Sequence, residues 1–244
     1  MSTLDEGLFG DHATAAQLAA RFMALDPSRL LRLAIEDLFP GKIALVASFG
    51  ADSAVLLHMV SEIDKAMPVI FIDTLHLFPE TLAYRDELIA HLKLTNVKSV
   101  EPEPEVLAKA DPEKFLWASD PDACCHLRKV LPLAKALEGY EAWITGRKRY
   151  QAETRAALPL FETESGRVKV NPLAAWSSED VTKYLDAYAL PRHSLVAKGY
   201  PSIGCVPCTS QVKPGEDPRS GRWRGRGKVE CGIHVAPLHA GSDI

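Results

Sequence analysis

Short apolar runs alternating with amphipathic stretches constrain this chain most. Residues 43–47, 69–72, 97–100 and 142–145 are each of strand length, and helical patterns separate them. Such runs, bounded by turn residues, read as buried strands. Strands alternating with helices predict an α/β fold with a doubly wound, mainly parallel sheet. Residues 14–38 predict a helix in two pieces, with Leu18, Phe22 and Leu25, then Leu30, Leu33 and Ile35 on the buried side, and Pro27 opening the second piece. Helices are also expected over 54–60 and 79–92, the latter carrying Leu82, Arg85, Leu88, Ile89 and Leu92 in register. Pro102 and Pro104 predict a loop. Asp120-Pro121 opens a helix that carries Cys124 and Cys125. Its expected buried stripe is Leu127, Val130, Leu131 and Ala134, with a kink at Pro132. Further strands are expected over 158–161 and 168–170, and Ser177 or Ser178 caps a helix running to Tyr188. Periodicity ends near residue 209, where Pro214, Gly215, Pro218, Gly221, Gly225 and Gly227 predict a mobile tail. The expected organisation is a domain over 1–208 and a flexible segment over 209–244.

Composition narrows the function classes. The chain has 244 residues, 47% of them hydrophobic, enough for one sizeable core. No apolar run approaches the ~20 residues of a membrane span, and the acidic start lacks the features of a signal peptide. A net charge of −4 argues against a nucleic-acid partner, so any anion site is local. The expectation is a cytoplasmic protein without membrane or nucleic-acid partners; a homo-oligomer stays open. In that compartment cysteines are metal ligands or catalytic groups more often than disulfides.

Ser48-Phe49-Gly50-Ala51-Asp52-Ser53 joins the first strand to a helix. Backbone N–H groups and a helix N-terminus converge there, which suits an anion; an ordinary strand-to-helix turn is the alternative. The loop has neither the Gly-Lys-Ser/Thr of a Walker motif nor the glycines of a Rossmann fingerprint. It resembles the loop of the adenine-nucleotide α-hydrolase (PP-loop) superfamily. Asp73-Thr74 and Gly146-Arg147-Lys148-Arg149 follow two other strands at the same sheet end. With Ser48, Gly50 and Asp52 they make Asp73, Thr74, Gly146 and Arg147 candidates for an adenylate pocket.

The five cysteines divide into Cys124-Cys125, Cys205-x-x-Cys208 and a lone Cys231. Four thiols form a ligand set, and one is left to react. Cys205-x-x-Cys208 is also compatible with a redox dithiol or a structural zinc site. Adjacent side chains on a helix point about 100° apart, which favours the corners of a bulky iron–sulfur cluster over the vertices around one zinc ion. Arg219, Arg222, Arg224, Arg226 and Lys228 precede Cys231, and cations lower a thiol's pKa. The other reading is a solvated basic tail.

Cys124-Cys125-x-x-Arg128-Lys129, Tyr200-Pro201-Ser202-Ile203-Gly204-Cys205-x-Pro207-Cys208-Thr209 and Glu230-Cys231-Gly232-Ile233-His234 resemble the thioredoxin-dependent assimilatory adenylyl-sulfate reductases. Phe78-Pro79-Glu80-Thr81 and Asp217-Pro218-Arg219-Ser220-Gly221-Arg222 are similar as well. The likeness covers roughly residues 40–234. It implies one 4Fe–4S cluster on Cys124, Cys125, Cys205 and Cys208, and Cys231 as the nucleophile toward adenylyl sulfate. It also implies Lys129, Arg219 and Arg222 around the phosphosulfate, and thioredoxin or glutaredoxin as reductant. Relatives that reduce phosphoadenylyl sulfate mostly lack the four cysteines, so adenylyl sulfate is the expected substrate; a dual or phosphoadenylyl-sulfate specificity is the alternative. The chain departs from the family at Leu75-His76-Leu77, at Tyr150-Gln151-Ala152-Glu153-Thr154-Arg155 and at Trp223-Arg224-Gly225-Arg226. His76, His126 and His234 receive no role. Competing readings are a PP-loop tRNA sulfurtransferase and a non-enzymatic zinc module.

Overall fold

The apolar runs become the strands of a single sheet. The structure, a computed structural model, describes residues 14–234. The acidic start of the chain and positions 235–244 of the predicted tail lie outside the described residues. Helices α1 (Ala15–Phe22) and α2 (Pro27–Arg32) precede strand β1 (Ile43–Val46), with a π-helical stretch, Leu33–Leu38, extending α2. Then follow α3 (Ser53–Ser61), β2 (Val69–Ile72), α4 (Pro79–Leu92), β3 (Val97–Val100), α5 (Pro104–Ala110), α6 (Leu116–Ser119), α7 (Pro121–Cys125) and α8 (Leu131–Ala136). Strands β4 (Ala142–Ile144), β5 (Phe161–Glu164) and β6 (Arg167–Val170) and helix α9 (Ser178–Ala187) complete the regular elements.

The strand order is β3-β2-β1-β4-β6-β5, parallel except for β5, which runs antiparallel to β6. The chain leaves β1 toward β2 and β3, then returns to place β4 on the other flank of β1. Leu45 therefore pairs with Val69 on one side and Ile144 on the other. That reversal is a topological switch point, where open α/β sheets leave a crevice at their carboxyl edge.

Both faces of the sheet are covered, as parallel strands require. Ile43 and Leu45 pack on one face with Leu30, Leu31, Leu57 and Val60. Ala44 and Trp143 face the other way, against Leu133 of α8, Leu137 just after it and Ile233 from the end of the tail.

Four local expectations change. Residues 104–110 are helical, because Pro104 occupies the first turn, where its missing N–H costs nothing. The fifth strand is Phe161–Glu164 rather than 158–161, set by a hairpin turning through Ser165 and Gly166, both at positive φ. The predicted kink at Pro132 takes the form of a π-turn over His126–Val130, with Leu131 N–H bonding His126 O. Pro132 has no N–H for the Arg128 carbonyl, and the extra residue rotates the downstream face. Leu131 is consequently 43% exposed and Ala134 is exposed, while Arg128, Pro132 and Leu133 are buried. Finally, the expected mobile tail is packed over residues 209–234. Thr209 bridges Arg222, Trp223 is buried, and Gly221 passes so close that a Cβ there would lie 2.2 Å from Ser210 O.

Candidate active site

A cavity of about 230 Å³ opens at the switch point. The loop after β1 forms its floor. Phe49 takes φ +48° so that its ring drops into the core, edge-on to Phe71 at 5.3 Å, and the backbone of Ser48 and Gly50 is turned to the cavity. Asp52 stands at the N-terminus of α3 without capping it. Its carboxylate accepts instead from Lys148 Nζ at 2.9 Å, which ties this loop to the segment after β4.

Gly146, Arg147 and Lys148 bring that segment into the wall. Arg147 is buried beside Glu162 and donates to Asn171 Oδ1, which also accepts from Thr145 Oγ1 at 2.7 Å. Burial, then neighbouring Arg155, pulls the Arg147 pKa down to about 10, so it remains cationic at neutral pH. Burial and Arg155 do the same to Arg219, also to about 10. Arg222 lies 4.4 Å from the centre of the Trp223 ring and donates to Ile203 O. Its approach depends on Gly204, where a Cβ would come within 2.2 Å of the guanidinium.

Thr74, Lys129, Arg219, Arg222 and Cys231 share this cavity with Ser48, Gly50, Asp52, Gly146 and Arg147. Asp73 is the exception among the residues expected there. It lies outside the lining, and its carboxylate accepts from Leu75 N–H at 2.9 Å in a turn of its own. Lys148, Arg155 and His234, none of them among the expected site residues, also line the cavity. His234 follows Cys231 by one 3-10 turn and stacks on Trp143 at 6.3 Å, with Nδ1 buried and without a partner. Burial and the cations Lys169, Arg147, Arg155 and Arg219 hold its pKa well below the usual imidazole range, so the ring is neutral. Its position three residues after the cysteine was the available signal. Six cations and one carboxylate thus line a cavity in a chain of net charge −4.

Cys231 Sγ meets Cys125. A hydrogen bond from Cys125 depresses the Cys231 pKa most. Burial opposes it, and Lys129, the Ile233 N–H and Arg222 add to the depression, leaving the thiol well below its ordinary range. Cys125 is pushed up in turn, by that bond and by burial.

Cys124 and Cys125 from α7 and Cys205 and Cys208 from a one-turn loop gather around a second, small pocket. Val206 N–H bonds His76 O at 2.7 Å, and Leu77 bridges Cys205, which fixes the loop against the segment between β2 and α4. Arg128 anchors α7 from below through Asp111 at 2.7 Å and Thr74 O at 3.1 Å. Burial raises the Cys124 pKa to about 11, and burial also raises Cys208. His76 Nε2, Arg128 Nε and Trp223 Nε1 border the same pocket, buried and without partners. Four thiols and three idle nitrogens around one pocket suit an anionic, sulfur-rich group with several acceptors. Among the described residues, no three His, Cys, Asp or Glu side chains converge to hold a single metal ion. Lys129 and Trp223 border both pockets, so the two sites share a wall.

The phosphoadenosine phosphosulfate reductase domain family matches residues 42–211. The chain belongs to this family. A Mesorhizobium japonicum protein named adenosine 5'-phosphosulfate reductase is 53% identical over 229 residues, covering 94% of this chain and 90% of its own. A Mycolicibacterium smegmatis protein of the same name is 46% identical over 198 residues, 78% and 82% of the two chains. The crystal structure of phosphoadenylyl-sulfate reductase from Candida auris, a phosphate complex, is similar with a TM-score of 0.69 and 32% identity, covering 87% of this chain and 99% of that one. Yeast FAD synthetase, at 17% identity and a TM-score of 0.52 over 81% of this chain and 74% of its own, shares the fold alone. The mainly parallel sheet is of the PP-loop type. No helix of the described residues is long and apolar enough to cross a membrane.

Proposed function

We propose that this chain reduces adenosine 5'-phosphosulfate to sulfite and AMP with electrons from a dithiol protein, in assimilatory sulfate reduction. One observation carries the reading: Cys231 enters a cationic cavity at the sheet's switch point, while the other four thiols gather in an adjoining pocket. The adenosine fits the apolar side formed by Leu45, Leu56, Leu57 and Ile72, and the phosphosulfate lies toward Lys129, Arg219 and Arg222. Cys231, as thiolate, attacks the sulfuryl sulfur. The S–O bond to phosphate breaks, AMP leaves with that electron pair, and Cys231 carries a thiosulfonate. Charge builds on the leaving phosphate, where each well-placed donor contributes about 3–4 kcal/mol to lowering the barrier.

Cys124, Cys125, Cys205 and Cys208 would hold a 4Fe–4S cluster, with His76, Arg128 and Trp223 as hydrogen-bond donors to it. When bound, the cluster supplies a fixed charge beside the cavity. Cys125 as an iron-bound thiolate would have no proton to give; of the groups that lower the Cys231 pKa, Lys129, the Ile233 N–H and Arg222 would remain. No sixth cysteine exists to resolve the thiosulfonate. Thioredoxin or glutaredoxin is therefore the partner. Its thiolate attacks Cys231 Sγ, sulfite leaves, and its second thiol clears the mixed disulfide, so the dithiol is oxidised by two electrons. Such chemistry needs a reducing compartment, which argues for the cytoplasm.

The test incubates the iron-loaded protein with adenosine 5'-phosphosulfate or its 3'-phosphorylated analogue, followed by reduced thioredoxin. A sulfonate adduct on Cys231 by mass spectrometry, with sulfite release faster from the unphosphorylated nucleotide, is expected. Undiminished sulfite release by Cys231→Ser refutes the reading.

A further inference from the structure

Glu230 is the only acid between Arg219 and Cys231. Its carboxylate is 11% exposed and takes hydrogen bonds from Arg155 Nε at 3.1 Å and Arg155 Nη2 at 2.7 and 2.6 Å. Arg219 Nη2 adds another at 3.2 Å and also reaches Val229 O. Arg155 is itself held from behind by Gln151 Oε1 at 2.6 Å and is 8% exposed. A carboxylate gripped by two guanidiniums, one of them with paired bonds, is a strong and directional arrangement. It joins a turn of the sheet domain to the residue directly before Cys231, across 75 positions of sequence. A further ionic tie from this end of the tail to the domain runs from Lys228 to Asp122.

We propose that Glu230 is a positioning residue: its clasp on Arg155 seats Cys231 in the cavity for attack and must open before the thiosulfonate reaches the dithiol reductant. The second half rests on the reading of Cys231 as nucleophile; the seating does not. The clasp predicts opposite behaviour of the two half-reactions. Attack needs Cys231 inside, so weakening the clasp slows adduct formation. Resolution needs Cys231 outside, so weakening the clasp leaves it unchanged or accelerates it. A residue that merely supports the fold would slow both.

The experiment uses iron-loaded wild type, Glu230→Gln and Glu230→Asp, matched for iron content and melting temperature. Limited trypsin digestion reads tail opening as cleavage after Arg224, Arg226 or Lys228, without involving thiol chemistry. Loss of charged hydrogen bonds predicts cleavage faster by about ten-fold or more in Glu230→Gln, with Glu230→Asp in between. Single-turnover mass spectrometry then follows the sulfonate adduct, which should form about ten-fold slower in Glu230→Gln. Sulfite release from preformed adduct by thioredoxin should be no slower than in wild type. Arg155→Gln, probed by trypsin alone, weakens the same clasp from the other side and should open the tail equally. Unchanged cleavage in both variants, or equal slowing of both half-reactions, overturns the clasp. Absence of any adduct in the wild type overturns the nucleophile reading instead, and the digestion still decides the seating.

Discussion

Asp111→Asn tests whether the buried pair beneath the cysteine helix carries the stability that its geometry implies. Arg128 and Asp111 meet at 2.7 Å with side chains 4% and 3% exposed. Arg128 also donates to Thr74 O, and Asp111 accepts from Leu116 N–H at 2.9 Å. Removing one charge leaves the guanidinium uncompensated, which costs about 3–5 kcal/mol. Asparagine keeps an acceptor for Leu116, so the lower figure applies. At about 2–4 °C per kcal/mol for a chain of this size, the melting temperature should fall by about 6–12 °C. The pH dependence has a definite sign. Burial pushes the Asp111 carboxyl up, but Arg128 and the Leu116 N–H outweigh it, and the net pKa is lowered. The pair's contribution is therefore full above the unfolded aspartate value of about 3.9 and is lost as pH falls through the lower folded value. The assay is thermal unfolding by circular dichroism of the iron-loaded protein, at neutral pH and again near pH 3. The double variant Asp111→Leu/Arg128→Met removes both charges and should recover most of the loss at neutral pH. A shift below about 2 °C for Asp111→Asn, against the 6–12 °C expected, refutes the reasoning.

Lys129→Met should lower kcat/KM by about 10²–10³ while iron content is retained, because a donor at the developing charge is lost; steady-state kinetics with an iron assay decide it. Cys205→Ser should release iron and abolish absorbance near 400 nm, whereas Cys231→Ser should keep both and lose only turnover. Gly204→Ala should raise KM with little change in melting temperature, since the added Cβ meets the far end of Arg222, 2.2 Å away. Gly221→Ala meets backbone instead, Ser210 O at 2.2 Å, and should destabilise by about 1–3 kcal/mol in denaturant titration.

The contrast between those two glycines shows what a sequence carries and what it hides. The strand–turn–helix units were legible because their periods repeat, so the parallel sheet and the convergence of residues 48–52, 74 and 146–147 at one edge follow from pattern alone. The two cysteine pairs gather around one pocket. Asp73 did not join them, because the turn after β2 points its carboxylate at its own backbone, a choice that one residue type does not encode. The tail's order was invisible for a related reason. Gly221, Trp223 and Glu230 each make contacts that do not recur along the chain, and unrepeated contacts leave no period. The π-turn hid the buried face of the cysteine helix in the same way, by shifting it one residue before Pro132.

The pairing of charges in the cavity explains why so many cations can be buried there. Arg147 answers Glu162, Lys148 answers Asp52, and Arg155 and Arg219 answer Glu230. Among the described residues no carboxylate pairs with Lys129 or Arg222, although both border the cavity and both lower the Cys231 pKa. These two carry the uncommitted positive charge. A thiolate approaching a phosphosulfate brings like charges together, and at 4 Å each such pair repels by about 4 kcal/mol at an effective dielectric of 20. A cation set between the two partners attracts both by a similar amount. In the proposed reaction Lys129 and Arg222 would therefore serve nucleophile and electrophile at once. Of the other four cations, all matched to carboxylates, Arg147, Lys148 and Arg155 shape the cavity, and Arg219, shared with Glu230, is the third proposed contact of the phosphosulfate.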